Sequence, residues 1–532
     1  MAKKVKSSVK ENQISPYRKR ILINIILLIV FFLVFAISFF FLWAMLTWNH
    51  MTIQELLFHM KVPLQGTGDF MVLKGALSIL IPASLLTAIF GILLFKVNER
   101  KKRKASLSIM MTASLSFLLV LSCFAWNWLE LTDFILLRHE KSTYIEENYV
   151  FPEEERYVFP EKKRNLVMIF LESMEVTLAS EENGGAKKVS CIPELETLSQ
   201  YGESFEGDGP LTGATVMQGA SFTAGSMFSN TSGLPLIIPT GENNMSLKDN
   251  FFPGIRSLGD ILKEQGYQNH LLLGSDATFG GRRLYFTSHG NYDIKDYLYA
   301  QKNLFPSLGL EEDYYVNWGF EDRYLFQIAK NEILTYQKND ETFNLTMLTV
   351  DTHFPNGYTC EDCPDEFEDS YSNAYRCSSI KTMEFIKWFF QSGEVNEKIR
   401  DNTTFVLLGD HLTMDSDYYT DLDDNYNRRA YVCYLNSAVE VKEKHRRREY
   451  TAFDTLPTVL ASLGVMVKDD VLGLGTNLFS NRDTLLERDG KELIDDEFLK
   501  DSKMMLSLYQ GKSYKESLSH YSLPKREQPS LS

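Results

Sequence analysis

The chain has 532 residues, 44% of them hydrophobic, and a formal net charge of −15 from 55 Lys and Arg against 70 Asp and Glu. This length is sufficient for more than one domain. Residues 1–104 carry a net charge of +11, so the remaining residues carry −26. A large acidic portion lacks the basic face that nucleic-acid recognition requires, and this argues against a nucleic-acid partner.

Three uncharged apolar runs, at about residues 21–46, 75–95 and 105–129, predict three transmembrane helices. Each run reaches the roughly 20 residues that a helix needs to cross a bilayer. The first run is longer than the roughly 7–15 apolar residues of a cleavable signal peptide, and two more runs follow it, so we expect it to remain as an anchor. The sequence therefore predicts an all-α transmembrane module over residues 21–129.

The distribution of Lys and Arg predicts the orientation of these helices. Residues 1–20 form a basic tail, and the loop after the second run is also basic, whereas the loop after the first run holds Lys61 and, at the edge of the second run, Lys74. Lys and Arg near membrane spans favour the cytoplasmic side. We therefore expect a cytoplasmic tail, a multi-pass protein of the plasma membrane, and an extracytoplasmic location for everything after about residue 130.

The remaining chain divides into three predicted parts. Residues 130–164 are rich in charge and aromatic side chains and form a juxtamembrane connector, whose aromatics either lie at the lipid headgroups or pack on the next domain. Residues 165–482 alternate short apolar runs with amphipathic segments, which predicts an α/β domain with a mostly parallel central sheet. Residues 483–532 are polar and predict a loose C-terminal tail with at most one short helix.

The chain has six cysteines, of which Cys123 falls in the third apolar run. Cys360 and Cys363 have the spacing of a zinc knuckle, but no second Cys pair or His pair completes one. An exported domain permits disulfides. We therefore expect Cys377 to bond to Cys360 or to Cys363.

Polar side chains follow the apolar runs, at the points where the predicted strands end. In open α/β sheets, ligands bind beyond these carboxyl ends of the strands. The residues there are Glu172, Ser275, Asp276, Asp351, His353, Asp410 and His411. Asp or Ser after a strand often only caps the next helix. Glu172, Asp410 and His411 nevertheless combine oxygen and imidazole ligands that a divalent cation such as Mn²⁺ or Zn²⁺ accepts, so the sequence predicts a metal site.

The segment Thr212–Leu236 is dense in Gly, Ala, Ser and Thr, so its backbone can approach a ligand closely. A hydroxyl near a cation can lose its proton and act as a nucleophile. Residue chemistry alone leaves five candidates open: Thr212, Thr215, Ser221, Thr223 and Ser226.

Several motifs carry a family resemblance that extends from about Asn165 to Ser480. In chain order they are LESME (171–175), SFTAGSMFSNTSGLPL (221–236), GSDATFGGRRLYFTSHG (274–290), VDTHFPNGY (350–358), GDH (409–411), and FDTLPTVLASLG followed by GLGTNLF. Together they resemble the bacterial phosphoglycerol transferase I and lipoteichoic acid synthase family, part of the alkaline phosphatase and sulfatase superfamily. The resemblance implies a sulfatase-like fold for residues 165–482.

The resemblance also implies roles for individual residues. Thr223 matches the catalytic threonine, and the metal ligands become Glu172, Thr223, Asp410 and His411, with Mn²⁺ as the metal and Mg²⁺ as the alternative. His353 is the expected contact of the transferred phosphate. The loop at 274–290 lies on the substrate side, so Asp276, Arg282 and His289 are candidate substrate contacts, with Arg283 as the alternative to Arg282 and an ordinary loop role as the alternative for His289.

The function that follows is transfer of sn-glycerol-1-phosphate from phosphatidylglycerol to an extracytoplasmic glycan or glycolipid acceptor, through a phospho-threonine intermediate, next to the lipid bilayer. One alternative is a phosphoethanolamine transferase of the same superfamily. Another, of a different class, is a non-catalytic membrane receptor or cell-wall scaffold that retains the fold. A sulfatase activity is disfavoured because Thr223 is not in the Cys/Ser-x-Pro-x-Arg context that formylglycine formation needs.

Overall fold

The computed structural model describes residues 15–48, 51–61, 69–97, 99–238, 249–415, 417–423 and 425–512. The chain divides into two compact units. The first comprises Met1–Trp48 and Asp69–Leu129, and the second comprises Asn49–Gly68 and Glu130–Ser532. Most of the predicted basic tail, residues 1–14, lies outside the described residues.

The first unit contains three long apolar helices, α1 (Pro16–Thr47), α3 (Asp69–Lys96) and α4 (Arg100–Trp128), whereas the short helix α2 (Ile53–Lys61) belongs to the second unit. All three are long and apolar enough to cross a membrane, which confirms the predicted helices and makes the chain a membrane protein. Helix α1 begins inside the predicted tail, because the Ser15 side chain accepts a hydrogen bond from the Arg18 N–H and a proline suits the first helical position.

The second unit is built on a six-stranded sheet with the strand order β4-β3-β5-β2-β6-β7. The strands are β2 (Asn165–Leu171), β3 (Gln268–Leu273), β4 (Asp293–Lys295), β5 (Phe343–Leu348), β6 (Thr403–Gly409) and β7 (Val432–Leu435). Only β7 is antiparallel to its neighbour in this sheet. All residues of β2, β5 and β6 are buried, as expected for strands covered on both faces. The predicted α/β fold with a mostly parallel sheet is confirmed.

Helices and two small two-stranded sheets complete this unit. The helices are α5 (Leu131–Arg138), α6 (Tyr144–Asn148), α7 (Pro193–Tyr201), α8 (Thr223–Ser232), α9 (Leu258–Glu264), α10 (Arg282–Ser288), α11 (Tyr297–Asn303), α12 (Phe305–Leu308), α13 (Asp322–Asn339), α14 (Ser370–Gln391), α15 (Glu397–Arg400), α16 (Thr455–Ser462), α17 (Leu485–Asp489), α18 (Lys491–Leu499) and α19 (Lys503–Gln510). Strand β1 (Tyr157–Val158) pairs with β8 (Met466–Val467), and β9 (Val471–Leu472) pairs with β10 (Gly475–Thr476).

The prediction of a loose C-terminal tail is wrong for the part that the structure describes. Residues 485–510 form α17, α18 and α19, and Met505 and Leu508 lie in the same hydrophobic core as the sheet. The connector joins this core too: Tyr149 is buried in it, and the Glu146 carboxylate accepts a hydrogen bond from the Met504 N–H. Apolar side chains on one face of a short helix gain stability by burial, even where the surrounding sequence is polar. Residues 513–532 lie outside the described residues.

One of the two predicted disulfide pairings is present. Cys363 and Cys377 are bonded, which ties the loop before α14 to that helix, and Cys360 remains a buried thiol. Cys123 lies in α4, as the apolar pattern predicted.

Candidate active site

The carboxyl ends of β2 and β6 bring Glu172, Asp410 and His411 together. Candidate ligand atoms of these three buried residues all lie within 4.8 Å of one another. The Nε2 atom of His411 is 3.4 Å from a carboxylate oxygen of Glu172 and 3.4 Å from one of Asp410. The strands lie side by side in parallel with Leu171 opposite Gly409, so the residues that follow them emerge at the same edge.

Gly409 allows this convergence because the backbone at Met174 passes very close to it. A Cβ atom at this position would lie 1.8 Å from the Met174 carbonyl oxygen, so only glycine fits. Immediately after it, one carboxylate oxygen of Asp410 accepts hydrogen bonds from the N–H groups of Ser173 (2.7 Å) and His411 (2.8 Å). Its other oxygen, Oδ2, is buried and has no hydrogen-bond partner among the described residues. That orphaned oxygen faces the His411 ring.

The two carboxylates of the cluster carry more negative charge than the His411 ring can balance. Burial and the charge of Glu172 raise the pKa of Asp410 to about 7. Burial lowers the pKa of the His411 ring, but the charges of Asp410 and Glu172 outweigh it and raise the pKa overall. The His411 Nδ1–H donates to the Leu412 carbonyl at 2.8 Å, so Nε2 is the ring nitrogen that faces the two carboxylates and that would bind a cation once its proton is lost. Two carboxylates, an imidazole and an unsatisfied buried oxygen fit a divalent cation.

Thr223 brings a hydroxyl to this cluster. It is the first residue of α8, and its Oγ1 atom is 3.2 Å from the Nε2 atom of His411. The first turn of a helix also offers backbone N–H groups that lack partners within the helix. Two competing hydroxyls have other partners, because Ser221 donates to Glu55 and Ser226 accepts from the side chain of Asn230. Among the candidate hydroxyls that the sequence left open, that of Thr223 lies next to the predicted metal ligand His411.

The structure distinguishes the two arginines of the substrate-side loop. Arg282 is 6% exposed, and its guanidinium donates to the backbone carbonyls of Phe279 (3.0 Å) and Asp276 (2.9 Å). Burial lowers its pKa to about 10, although the charge of Glu172 acts in the opposite direction. Arg283 instead forms an ion pair with Asp296. Arg282 therefore is the buried positive charge within electrostatic reach of the cluster.

His353 lies beside the cluster with its ring between two aromatic side chains. The ring centroids of Trp318 and Phe354 are 4.3 Å and 4.9 Å away. The Nδ1 atom donates to the Phe354 carbonyl at 2.7 Å. Burial, together with the charge of His411, lowers the pKa of His353 to about 4, although the hydrogen bond to the Phe354 carbonyl acts in the opposite direction. The ring is therefore neutral at physiological pH, and its Nε2 atom is a hydrogen-bond acceptor.

Two predicted substrate contacts are not brought to the cluster. The Asp276 carboxylate accepts a hydrogen bond from the Thr278 N–H at 2.8 Å and thereby shapes its own loop. Both ring nitrogens of His289 are occupied, one by the Asp260 carboxylate at 2.9 Å and the other by the Phe251 carbonyl at 2.6 Å. His289 also lines a separate cavity of about 670 Å³. This geometry favours the loop role that the sequence left as the alternative for His289.

Comparison with known proteins places this site in a family. The Sulfatase family model matches residues 164–465, more than half of the chain. The chain belongs to the sulfatase family. Members of the sulfatase and alkaline phosphatase superfamily are metal-dependent, and the Glu172–Asp410–His411 cluster, which contains the buried orphan oxygen, is the candidate metal site of this sulfatase-family domain.

The chain is also similar to curated proteins named phosphoglycerol transferase I. It is 30% identical over 325 residues to the one from Xanthomonas campestris pv. campestris (strain B100), covering 60% of this chain and 43% of that protein. It is 29% identical over 321 residues to the one from Shigella flexneri, covering 60% of this chain and 39% of that protein. The sulfatase-family chain thus spans less than half the length of these relatives.

Two solved structures are similar in fold. The lipoteichoic acid synthase LtaP from Listeria monocytogenes has a TM-score of 0.46 at 19% identity, over 63% of this chain and 80% of that one. The lipooligosaccharide phosphoethanolamine transferase A from Neisseria meningitidis has a TM-score of 0.45 at 16% identity, over 85% of each chain.

Sequence reasoning missed several side chains that surround the sulfatase-family site. Ser173 follows Glu172, donates to it at 2.9 Å and has a positive φ of 50°. Its place directly after a predicted strand end was a usable signal. Trp318 reaches the site from a loop without any recognisable motif. Helix α2 reaches it from the segment between the first two long apolar helices, which the sequence assigned to the membrane module.

Proposed function

We propose that this chain is a membrane-anchored, metal-dependent transferase that moves a glycerol phosphate unit from phosphatidylglycerol to an extracytoplasmic glycan or glycolipid. The observation that carries the proposal is the 3.2 Å separation of the Thr223 hydroxyl from the His411 ring, inside a cluster of groups suited to a divalent cation. A hydroxyl in this position is suited to become the nucleophile of a covalent mechanism.

The relatives support the type of reaction. Both curated relatives named above are phosphoglycerol transferases, and the similarity covers about as much of the chain as the sulfatase-family match. A threonine in place of a formylglycine precursor supports phosphoryl transfer over sulfate ester hydrolysis. No feature of the described residues favours a non-catalytic scaffold over this reaction.

The first step forms a bond between the Thr223 Oγ1 atom and the phosphorus of phosphatidylglycerol and breaks the bond from phosphorus to the diacylglycerol oxygen. The hydroxyl proton of Thr223 passes to water, and the departing diacylglycerol oxygen takes a proton from water and leaves as diacylglycerol. In the second step an acceptor hydroxyl attacks the same phosphorus, and the bond to Thr223 breaks. Mn²⁺, or Mg²⁺ as the alternative, held by Glu172, Asp410, His411 and Thr223, would lower the pKa of the threonine hydroxyl and offset the phosphoryl charge.

Arg282 and His353 have different tasks in this scheme. The Arg282 guanidinium is positive and lies near the cluster, so it stabilises the non-bridging phosphoryl oxygens. A neutral His353 that donates from Nδ1 to the Phe354 carbonyl has only an acceptor at Nε2. It therefore suits a contact with a substrate hydroxyl better than a contact with a phosphate oxygen.

The membrane setting follows from the three apolar helices and the distribution of Lys and Arg. We propose that the catalytic unit is extracytoplasmic, where phosphatidylglycerol of the outer leaflet is within reach and diacylglycerol stays in the bilayer after release. The basic residues at the start of α4, residues 100–104, support this orientation.

The test uses the full chain in liposomes that contain either phosphatidylglycerol or phosphatidylethanolamine, each labelled in the headgroup, with Mn²⁺ present. We expect diacylglycerol release and headgroup label on the Thr223 peptide with phosphatidylglycerol. The Thr223→Ala variant serves as the control and should give neither product. Labelling only from phosphatidylethanolamine would replace the proposal with the phosphoethanolamine alternative, and no labelling from either lipid would overturn enzymatic transfer altogether.

A further inference from the structure

Helix α2 is part of the catalytic unit, although in sequence it lies between two long apolar helices. The Glu55 side chain is 2% exposed and accepts a hydrogen bond of 3.4 Å from Ser221, two residues before Thr223. The Glu55 carboxylate thus lies beside the segment that leads into Thr223.

His59 lies one helical turn beyond Glu55, on the same face of α2. Its ring is 5.9 Å from the ring of Phe279, nearly parallel to it, and 5.5 Å from Phe222, the residue before Thr223. Phe279 in turn contacts the Trp318 ring at 5.9 Å. Because Trp318 packs on His353, a continuous row of aromatic rings runs from His353 to His59 of α2. Phe222, which contacts His59, places this row beside Thr223.

An apolar side chain anchors helix α2. Phe58 is 1% exposed and packs on Phe222 at 5.0 Å, which supplies an apolar anchor. One turn before Phe58, the side-chain oxygen and nitrogen of Gln54 are both buried and have no hydrogen-bond partner among the described residues. A buried amide without partners costs free energy that a bound ligand can recover.

The chemistry of these groups indicates the type of ligand. Burial lowers the pKa of His59 to about 4, so its neutral ring has one donor and one acceptor. Gln54 likewise has both donor and acceptor atoms, and Glu55 contributes acceptors. Hydroxyl groups donate and accept hydrogen bonds, whereas an ammonium headgroup only donates and would leave the donors of Gln54 and His59 unmatched.

We propose that Gln54, Glu55 and His59 form the subsite that binds the hydroxyl groups of the glycerol unit being transferred. The proposal rests on the proposed function, since the glycerol unit stays attached to the phosphorus that Thr223 attacks. Helix α2 precedes the region matched by the Sulfatase family model, residues 164–465. Headgroup selection would therefore come from a segment outside the domain shared with the family.

The experiment compares two donors in liposomes with Mn²⁺: phosphatidylglycerol and phosphatidylpropanol, whose headgroup has the same three carbons without free hydroxyls. Diacylglycerol release is measured for the full chain and for the variants Gln54→Ala and His59→Ala. We expect the unmodified protein to prefer phosphatidylglycerol in kcat/KM. In each variant the ratio of kcat/KM for the two lipids should fall about tenfold, the effect of one hydrogen bond. The rate on phosphatidylpropanol should stay within about twofold of that of the unmodified protein.

Met60→Ala is the matched control, because Met60 is on the same helix and is 70% exposed. It should leave both rates unchanged. If either variant lowers the two rates equally, or if the unmodified protein shows no preference, the subsite proposal is overturned while the transferase reaction stands. If the unmodified protein releases diacylglycerol from neither lipid, the proposed function itself fails.

Discussion

His411 and His289 lie in different regions of the catalytic unit, and both are buried histidines with an aspartate beside the ring. The Nδ1 atom of His411 donates to a backbone carbonyl, and its Nε2 atom faces two carboxylates and a hydroxyl. Both ring nitrogens of His289 have a partner from the chain itself. A buried histidine next to an aspartate therefore occurs in both regions. The candidate site differs because Nε2 of His411 faces side chains that can share a cation with it.

The two aspartates differ in the same way. Burial raises the pKa of Asp260, but the hydrogen bond and charge of His289 outweigh it and lower the pKa overall. Burial and the charge of Glu172 raise the pKa of Asp410 to about 7. In the His289 region, His289 stabilises the negative charge of Asp260. In the His411 region, the carboxylates of Glu172 and Asp410 need a further positive charge, which a cation and Arg282 can supply.

The largest effect is expected from Thr223, the proposed nucleophile of the His411 region. Thr223→Ala should lower transfer by at least about 10³-fold, since the proposed covalent intermediate forms on its hydroxyl. Thr223→Ser keeps a hydroxyl and should retain a measurable part of the activity. Headgroup label on the protein and diacylglycerol release measure both variants, and unchanged label in Thr223→Ala would rule out this residue as the nucleophile.

Arg282 and Arg283 sharpen the comparison, because they are adjacent in sequence and have different surroundings. Arg282→Ala should lower kcat/KM by about 10²-fold, as expected when one donor to a developing charge is removed. Arg283→Ala removes an ion pair with Asp296 and should change kcat/KM by less than about threefold, with a loss of stability of about 1 kcal/mol. Steady-state kinetics and thermal unfolding of both variants test this, and equal losses of activity would contradict the assignment.

The pH dependence of metal binding tests the charge of the His411 region. A carboxyl group whose pKa is raised in the folded state stabilises the cation-free protein at low pH, and this contribution is lost as the pH rises from about 4 to about 7. A cation competes with that proton, so Mn²⁺ should bind at least about tenfold more weakly at pH 6 than at pH 8. Calorimetric titration at the two pH values measures the difference, and equal affinities would show that Asp410 does not hold a proton in this range.

Much of the fold could be predicted because the strands are short, apolar and buried on both faces. The runs at β2 and β6 ended at the residues that form the cluster, and the parallel arrangement implied that Glu172, Asp410 and His411 would meet. The choice of Thr223 among five hydroxyls needed the family resemblance, because spacing along the chain does not show which hydroxyl faces a strand end.

The remaining features depend on long-range packing that no local pattern encodes. The polar segment of α17, α18 and α19 gave no periodic signal, yet it contributes to the main core. Helix α2 was assigned to the membrane module by its position between two apolar runs. Asp351 follows β5 as Asp410 follows β6, but its carboxylate accepts from the Asp322 N–H at 3.1 Å. Its partner at the start of α13 could not be deduced from the sequence.

The smallest effect on transfer is expected for His289, the counterpart of His411. His289→Ala removes two hydrogen bonds and leaves the Asp260 charge without its partner, so the free energy of unfolding should fall by about 1–3 kcal/mol. Because the pKa of Asp260 is lowered in the folded state, its contribution to stability is present above the unfolded pKa and is lost as the pH falls. Thermal unfolding with and without Mn²⁺ distinguishes the roles of the two histidines. His289→Ala should lower the unfolding temperature under both conditions and keep the stabilisation by Mn²⁺, whereas His411→Ala should abolish that stabilisation. A large loss of transfer in folded His289→Ala would place this histidine in the substrate site after all, and the distinction between an open and a fully occupied ring would then fail.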